Sequence, residues 1–314
     1  MVSTPPLRHS VREAVALSYP EPAPRRVLLT LRPTPEPVAY AIRSEWSEFV
    51  AGEVRRTPLE KTVGLRVRPH EDRWHLGLRT SAPRLGTPDP TFFDEMALLL
   101  AELYADLVLE AAPTGQLLSL VNQPEVRAAW ARVRQELLRR YPAPGELLNQ
   151  LVAEVDRQLA RPVGLWPSLA YDYSYAALPG DFYQQPFETT HQYVSPKVFP
   201  QFFEGLDLHF VESRRLAPAD EPNQAALRLT GIIDPVATDL AAVAQRIQTA
   251  LRLPVAPAPG EVRLAYEATH RFETSTGLPT TVALTVSCTY HDQYRKEYHL
   301  AIEADSSVPL PHLP

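Results

Sequence analysis

Residues Asp106–Tyr141, DLVLEAAPTGQLLSLVNQPEVRAAWARVRQELLRRY, spell out a strand, a tight turn, a second strand and a helix in immediate succession. Leu107, Leu109 and Ala111 alternate with their neighbours, Pro113-Thr114-Gly115 supplies the turn, and Leu118 and Leu120 resume a period of two. Proline presets the backbone dihedral at the second turn position, and glycine takes the left-handed conformation that lets the chain return. Asn122 is then expected to cap a helix by accepting a bond from the Glu125 amide, with Pro124 placed where its missing N–H does no harm. Val126, Ala129, Trp130, Val133, Leu137 and Tyr141 recur every three or four residues, so one helix face must be covered. Paired strands followed by a one-faced helix predict an α+β fold, and the rest of the chain repeats these parts.

On the N-terminal side, Val27–Leu31 and Val38–Val50 read as extended, with Val38, Tyr40, Ile42 and Trp46 on one side. Thr62–Pro69 and Trp74–Thr80 form a hairpin about His70-Glu71-Asp72-Arg73, and Phe92–Tyr104 reads as a helix. After Tyr141, a proline-rich link leads to a second amphipathic helix over Glu146–Leu159, which suggests an antiparallel helix pair.

Beyond residue 162 aromatic residues concentrate, from Trp166 through Tyr171, Tyr173, Tyr175, Phe182 and Tyr183 to Phe203. The segment YDYSY, taken as a strand, sets its three tyrosines on one face, where they offer a pocket floor or a partner surface. Glu188–Val194, Gly205–Arg214 and Ala225–Ile233 read as strands and Pro235–Leu251 as a helix. A final meander covers Glu261–Glu273, Leu278–Tyr290 and Arg295–Ala304. Thr276-Gly277 echoes Thr114-Gly115, a hint of duplication between the halves.

The expected organisation is a proline-rich tail over 1–24, an N-terminal α+β lobe over 25–161, an aromatic-rich α+β lobe over 162–305 and a tail over 306–314. A chain of 314 residues with 45% hydrophobic content can bury a large core. Its net charge of −6 gives no electrostatic case for nucleic acid or an anionic membrane. Arginine far outnumbers lysine, a bias that GC-rich bacterial coding produces without any role in phosphate binding. A single cysteine, Cys288, removes internal disulfides and cysteine-built zinc sites. With no apolar leader and no long apolar run, the chain as written reads as soluble and cytoplasmic, although an exported mature domain would read the same.

Motifs for catalysis fail on spacing. His70 and His75 are five residues apart, where a zinc-protease helix needs four. Cys288 and His291, like His209 and Glu212 or His270 and Glu273, are three apart on predicted strands and so face opposite sides. His299 is placed to approach His291 across the last hairpin. Asp172, Asp181, Glu188 and Asp292 stand in aromatic surroundings that can raise a carboxyl pKa, which leaves a hydrolase using carboxylates or histidine as a third reading. The arginines of the 123–141 helix read as a solvated face. No nucleotide-binding glycine pattern occurs, and neither a cofactor nor a metal is expected.

The leading expectation is therefore an α+β protein of antiparallel β-meanders packed over amphipathic helices in two lobes. It acts as a non-catalytic binding or assembly protein whose sheet or aromatic surface contacts a protein partner or a second copy. The alternative is a carrier of an apolar small molecule in a cavity between sheet and helix. In architecture the arrangement resembles the bacterial lipoprotein carriers, which hold a lipid between sheet and helix. It departs from them in having no signal peptide or lipidation cysteine near its start, so no ligand or residue is carried over. The candidate binding residues are Tyr171, Tyr173, Tyr175, Phe182 and Tyr183.

Overall fold

The computed structural model describes residues 25–86, 91–141, 145–161, 163–169, 172–218, 221, 223–305 and 307; the expected N-terminal tail, most of the C-terminal tail and Tyr171 lie outside them. In chain order the elements are β1 (Arg26–Leu28), β2 (Val38–Val50), β3 (Glu53–His70), β4 (Arg73–Thr80) and β5 (Arg84–Leu85), then α1 (Phe92–Ala101), β6 (Asp106–Ala111) and β7 (Leu117–Leu120). Four helices follow, α2 (Gln123–Arg140), α3 (Glu146–Ala160), α4 (Trp166–Leu169) and α5 (Tyr173–Ala177). The remainder is β8 (Pro186–Glu188), β9 (Gln192–Phe203), β10 (Leu206–Ala217), β11 (Gln224–Ile233), α6 (Leu240–Leu251), β12 (Val262–Glu273), β13 (Pro279–Tyr290) and β14 (Tyr294–Ala304).

One twelve-stranded antiparallel sheet runs in the order β7-β6-β4-β3-β2-β14-β13-β12-β11-β10-β9, with β5 paired to β3; β1 and β8 form a separate two-stranded clip. The first long strand and the last one pair in the middle, from Val50 opposite Tyr294 to Tyr40 opposite Ala304. The two halves of the chain thus share one sheet, and residues 121–191, which contain α2–α5, carry the chain from one sheet edge, β7, to the other, β9.

That sheet is strongly curled. Phe202 of β9 and Trp46 of β2 sit six strand positions apart, yet their ring centroids are 5.4 Å apart. In a flat sheet six spacings would separate them by roughly 29 Å. The concave side is filled by aromatic side chains. Tyr173 of α5 meets Trp46, Phe199 and Tyr298 from three different strands at 6.1, 5.3 and 4.9 Å. The free edge of β9 is blunted by Pro196 and Pro200, which have no N–H to offer a further strand, and the Tyr173 hydroxyl donates to the Pro200 carbonyl at 2.8 Å.

The opening stretch folds as a hairpin and helix, with Gly115 at φ +92 in the turn and Val126, Trp130, Val133 and Leu137 buried. Asn122 behaves differently from expectation. Its side chain leaves the helix start uncapped; Oδ1 accepts from Val108 N at 2.8 Å and Nδ2 donates to Asp106 O at 3.0 Å, so it staples the helix entry to β6. The helices α2 and α3 are tied by Trp130 Nε1 donating to Asp156 at 2.6 Å and Arg127 Nε donating to the Leu159 carbonyl at 3.1 Å.

Other departures have local causes. β3 begins nine residues before the expected Thr62, because Glu53–Glu60 extends past the core with little burial and so shows no alternation. The strand expected over Glu188–Val194 is divided by a turn between β8 and β9. The helix expected from Pro235 starts at Leu240, since Asp234 first closes a turn by accepting from Val236 N and Ala237 N, and Asp239 then caps the helix through Ala242 N. The segment containing Tyr173 and Tyr175 is helical, not extended: Asp172 accepts from Ser174 N at 3.0 Å and caps α5. Two positions apart on a helix are rotated by about 200°, so the two tyrosines point apart instead of sharing a face.

Candidate functional site

Where the curled sheet brings its edges toward each other, they leave a cleft of about 350 Å³. Leu109 and Leu117 line it from β6 and β7, Val198 and Pro200 from β9, and Trp166, Leu169, Tyr175 and Ala176 from α4 and α5. Among the described residues no charged side chain lines it, and its volume is near the lower end of the roughly 300–1,000 Å³ usual for small-molecule sites. Two other clefts, of about 580 and 440 Å³, carry charged walls, Glu95, Glu102 and Arg140 in one and Glu48, Glu53, Arg55 and Arg252 in the other. The walls of the seam cleft are mostly apolar and come from three separate parts of the chain.

Behind Tyr175 lies a buried cation. Lys61 Nζ stands 4.5 Å from the centre of the Tyr175 ring and forms an ion pair with Asp172, the α5 cap. Burial works against the lysine charge, and the Asp172 carboxylate more than reverses it, so the Lys61 pKa ends above its usual value. The ion pair locks the helix bearing Tyr175 onto β3.

A second polar group lies on the inner face of β9–β12. Glu212 and Arg214 interrupt the buried row Leu208, Phe210, Leu216 of β10. Arg214 Nε donates to Glu212 Oε1 at 2.6 Å, while its Nη2 donates to both carboxylate oxygens of Asp181 at 2.7 and 2.9 Å. The remaining oxygen of Glu212 accepts from the Tyr266 hydroxyl at 2.7 Å, and Ser195 Oγ stands 3.4 Å from Oε1. Burial and then the Glu212 carboxylate push the Tyr266 phenol well above its usual pKa, so it remains a donor. The buried His270 ring stacks on Phe272 and meets the edge of Phe182 at 4.8 Å, with Nδ1 unpartnered. Burial, then the charges of Lys197 and Arg214, lower its pKa to about 3 and keep it neutral.

Of the residues expected to bind, Tyr173, Tyr175, Phe182 and Tyr183 are all buried, and Tyr171 is outside the described residues. Tyr175 lines the seam cleft; Tyr173 packs among Trp46, Phe199 and Tyr298; Phe182 lies against Arg214 and His270. Tyr183 closes on Gly115, where an added Cβ would come within 2.6 Å of its ring. Sequence reasoning missed Leu109, Leu117, Val198 and Pro200 as cleft walls, because nothing local tells a strand which distant edge it will approach. It also missed Lys61 and Arg214. For Arg214 a signal existed, two charged residues at inward positions of an otherwise apolar alternation.

The rejected catalytic pairs are placed by the sheet. His70 and His75 stack across the β3–β4 turn with centroids 4.0 Å apart, and among the described residues no group of three or more metal-ligating side chains occurs. Cys288 is buried, its thiol pushed up to about 12 chiefly by burial, and His291 is exposed in the turn. His299 does not approach His291; it lies opposite Thr285, whose Oγ1 is 3.1 Å from Nδ1. The carboxylates of Asp172 and Asp181 are engaged by Lys61 and Arg214. Among the described residues no helix is long and apolar enough to cross a membrane.

No family model matches the chain, and no curated protein matches its sequence. Among solved structures it is similar to the protein in "Lipid-protein interactions in lipovitellin", with a TM-score of 0.43 and 9% identity over 90% of this chain and 26% of that one. It is also similar to a putative outer membrane lipoprotein-sorting protein domain from Vibrio parahaemolyticus, with a TM-score of 0.18 and 8% identity over 87% of each chain. A DUF1329 family protein from Desulfovibrio piger ATCC 29098 gives 0.17 and 6% over 87% of this chain and 88% of that one.

Proposed function

We propose that the chain binds an apolar small molecule in the seam cleft between β6–β7 and β9. The observation that carries this reading is the uncharged lining of the cleft, set beside two larger clefts that are charged. Apolar surface left open at a seam is stabilised when a ligand removes it from water. The reading is tested by native mass spectrometry of protein from its own host under gentle and denaturing conditions, followed by titration with the fluorescent probe N-phenyl-1-naphthylamine. A co-purifying apolar molecule, or probe binding that Ala176→Trp weakens at least tenfold, supports it. Ala176 is exposed on the cleft rim, so the larger side chain closes the space without disturbing the core. A wild-type protein that carries nothing and leaves the probe unbound sinks it.

Protein contact is a second reading, favoured by exposed apolar side chains on the outer face of β9–β11. Pro196 lies opposite Val211 and Val211 opposite Ile232, with Val194 exposed beside them. A defined homo-oligomer or a protein partner in the same native spectrum supports it. Dispersal of that assembly by Ile232→Lys would locate the contact on this face.

A further inference from the structure

The aspartate on Arg214 stands in an unusual position for a structural partner. The Arg214 side chain is 4% exposed and that of Asp181 46%, so a carboxylate reaching in from solvent covers a guanidinium that is otherwise sealed. Glu212, 1% exposed, already neutralises Arg214 from the protein side. Lys197 lies on the same inner face, opposite Phe210, and has no anionic partner among the described residues. Phe182, next in sequence to Asp181, puts its ring 4.9 Å from the Arg214 guanidinium and in edge contact with both His270 and Phe272, at 4.8 and 5.5 Å. Gly180, at φ +66, makes the bend that turns this pair inward; a Cβ there would meet the Phe182 ring at 2.1 Å.

We propose that Arg214 is a binding site for a small carboxylate bearing a flat apolar group, and that Asp181 and Phe182 occupy it as a built-in stand-in. When the Asp181 side chain turns outward, Arg214 keeps the Glu212 carboxylate and the Asp181 main-chain carbonyl, and with Lys197 on the same face a surplus of one positive charge is left that an incoming carboxylate satisfies through the same two-oxygen contact. The apolar group takes the slot of the Phe182 ring, against His270 and Phe272. The Asp181–Phe182 pair therefore sets the threshold for entry. This site is separate from the seam cleft, and neither reading depends on the other.

The test uses the full chain carrying Asp181→Ala and Phe182→Ala, titrated calorimetrically with 3-phenylpropionate and with its neutral analogue 3-phenylpropanamide. The acid is expected to bind this variant at least tenfold more tightly than it binds the wild type, and at least tenfold more tightly than the amide does. Equal affinity of the acid for both proteins, or equal affinity of acid and amide for the variant, overturns the proposal. Should the double variant fail to fold, Asp181→Asn keeps the shape of the side chain and leaves Arg214 paired with Glu212. There the acid should gain at least threefold over wild type and the amide nothing; no gain overturns the proposal equally.

Discussion

The concave face of the single sheet is built in two ways. On β3, β4 and β6 the buried positions are mostly apolar, Val63, Leu65, Val67, Leu76, Leu78, Leu107 and Leu109, with Thr80 and the Lys61 that pairs with Asp172 at their margin. Across β10 and β12 the corresponding positions include Glu212, Arg214, Tyr266 and His270. Both regions belong to one contiguous buried cluster with Trp130, Leu137, Tyr183 and Phe202. Burial is therefore not what separates them. Apolar packing is stabilising and non-directional, so the first region can be filled in many ways. A buried charge network is costly unless every member is satisfied, so the second imposes one geometry on strand register and on the 181–182 bend.

The largest effect should come from breaking the network from inside. Glu212→Ala leaves Arg214 Nε and the Tyr266 hydroxyl without partners and is expected to cost about 4 kcal/mol in urea unfolding, as removing one member of a buried pair does. The double replacement Glu212→Leu with Arg214→Met should recover most of that loss; a double variant no more stable than the single one would show that the network is not what the substitution broke. In the apolar region Leu65→Ala should cost about 3 kcal/mol through lost transfer energy and a cavity. Chemical rescue by a polar partner is not available there, and a loss under ~1 kcal/mol would mean that the site collapses freely.

Acid sharpens the contrast next. The folded His270 pKa of about 3 lies below its unfolded value of 6.5, so the unfolded chain binds the proton more readily between these limits. Stability contributed by the neutral ring is complete above the unfolded value and declines as pH falls through that window, by ~2 kcal/mol at pH 5. His270→Phe should remove that part of the pH dependence while keeping the ring stack. An unchanged pH slope in the variant would contradict it. The smallest effect is expected at Asn122→Ala, about 1 kcal/mol, read as a modest fall in melting temperature from losing the two bonds to β6.

Much of the local structure was legible because it is set by neighbours along the chain. β2, β6 and the α1–α3 helices fall close to their expected bounds, since period-two and helical stripes coincide with burial there. The candidate site was legible only as a neighbourhood. Tyr175 was singled out, but as one of three tyrosines on a strand; Asp172 instead caps a helix and turns Tyr173 and Tyr175 to different surroundings. The cleft walls Leu109 and Val198 looked like ordinary strand residues, because their function depends on how far the sheet curls.

By itself, then, the sequence determined the paired strands, the amphipathic helices, the turn at Gly115 and the exclusion of a disulfide frame. Each follows from propensity and periodicity within a dozen or so residues. Only the tertiary structure decided that the first and last long strands pair, that the sheet curls until β9 reaches Trp46, that an apolar seam remains, and that Asp181 meets Arg214. The reason is physical: curl accumulates from small twists over many strands, and a buried charge finds its partner wherever that accumulated geometry brings a carboxylate within reach.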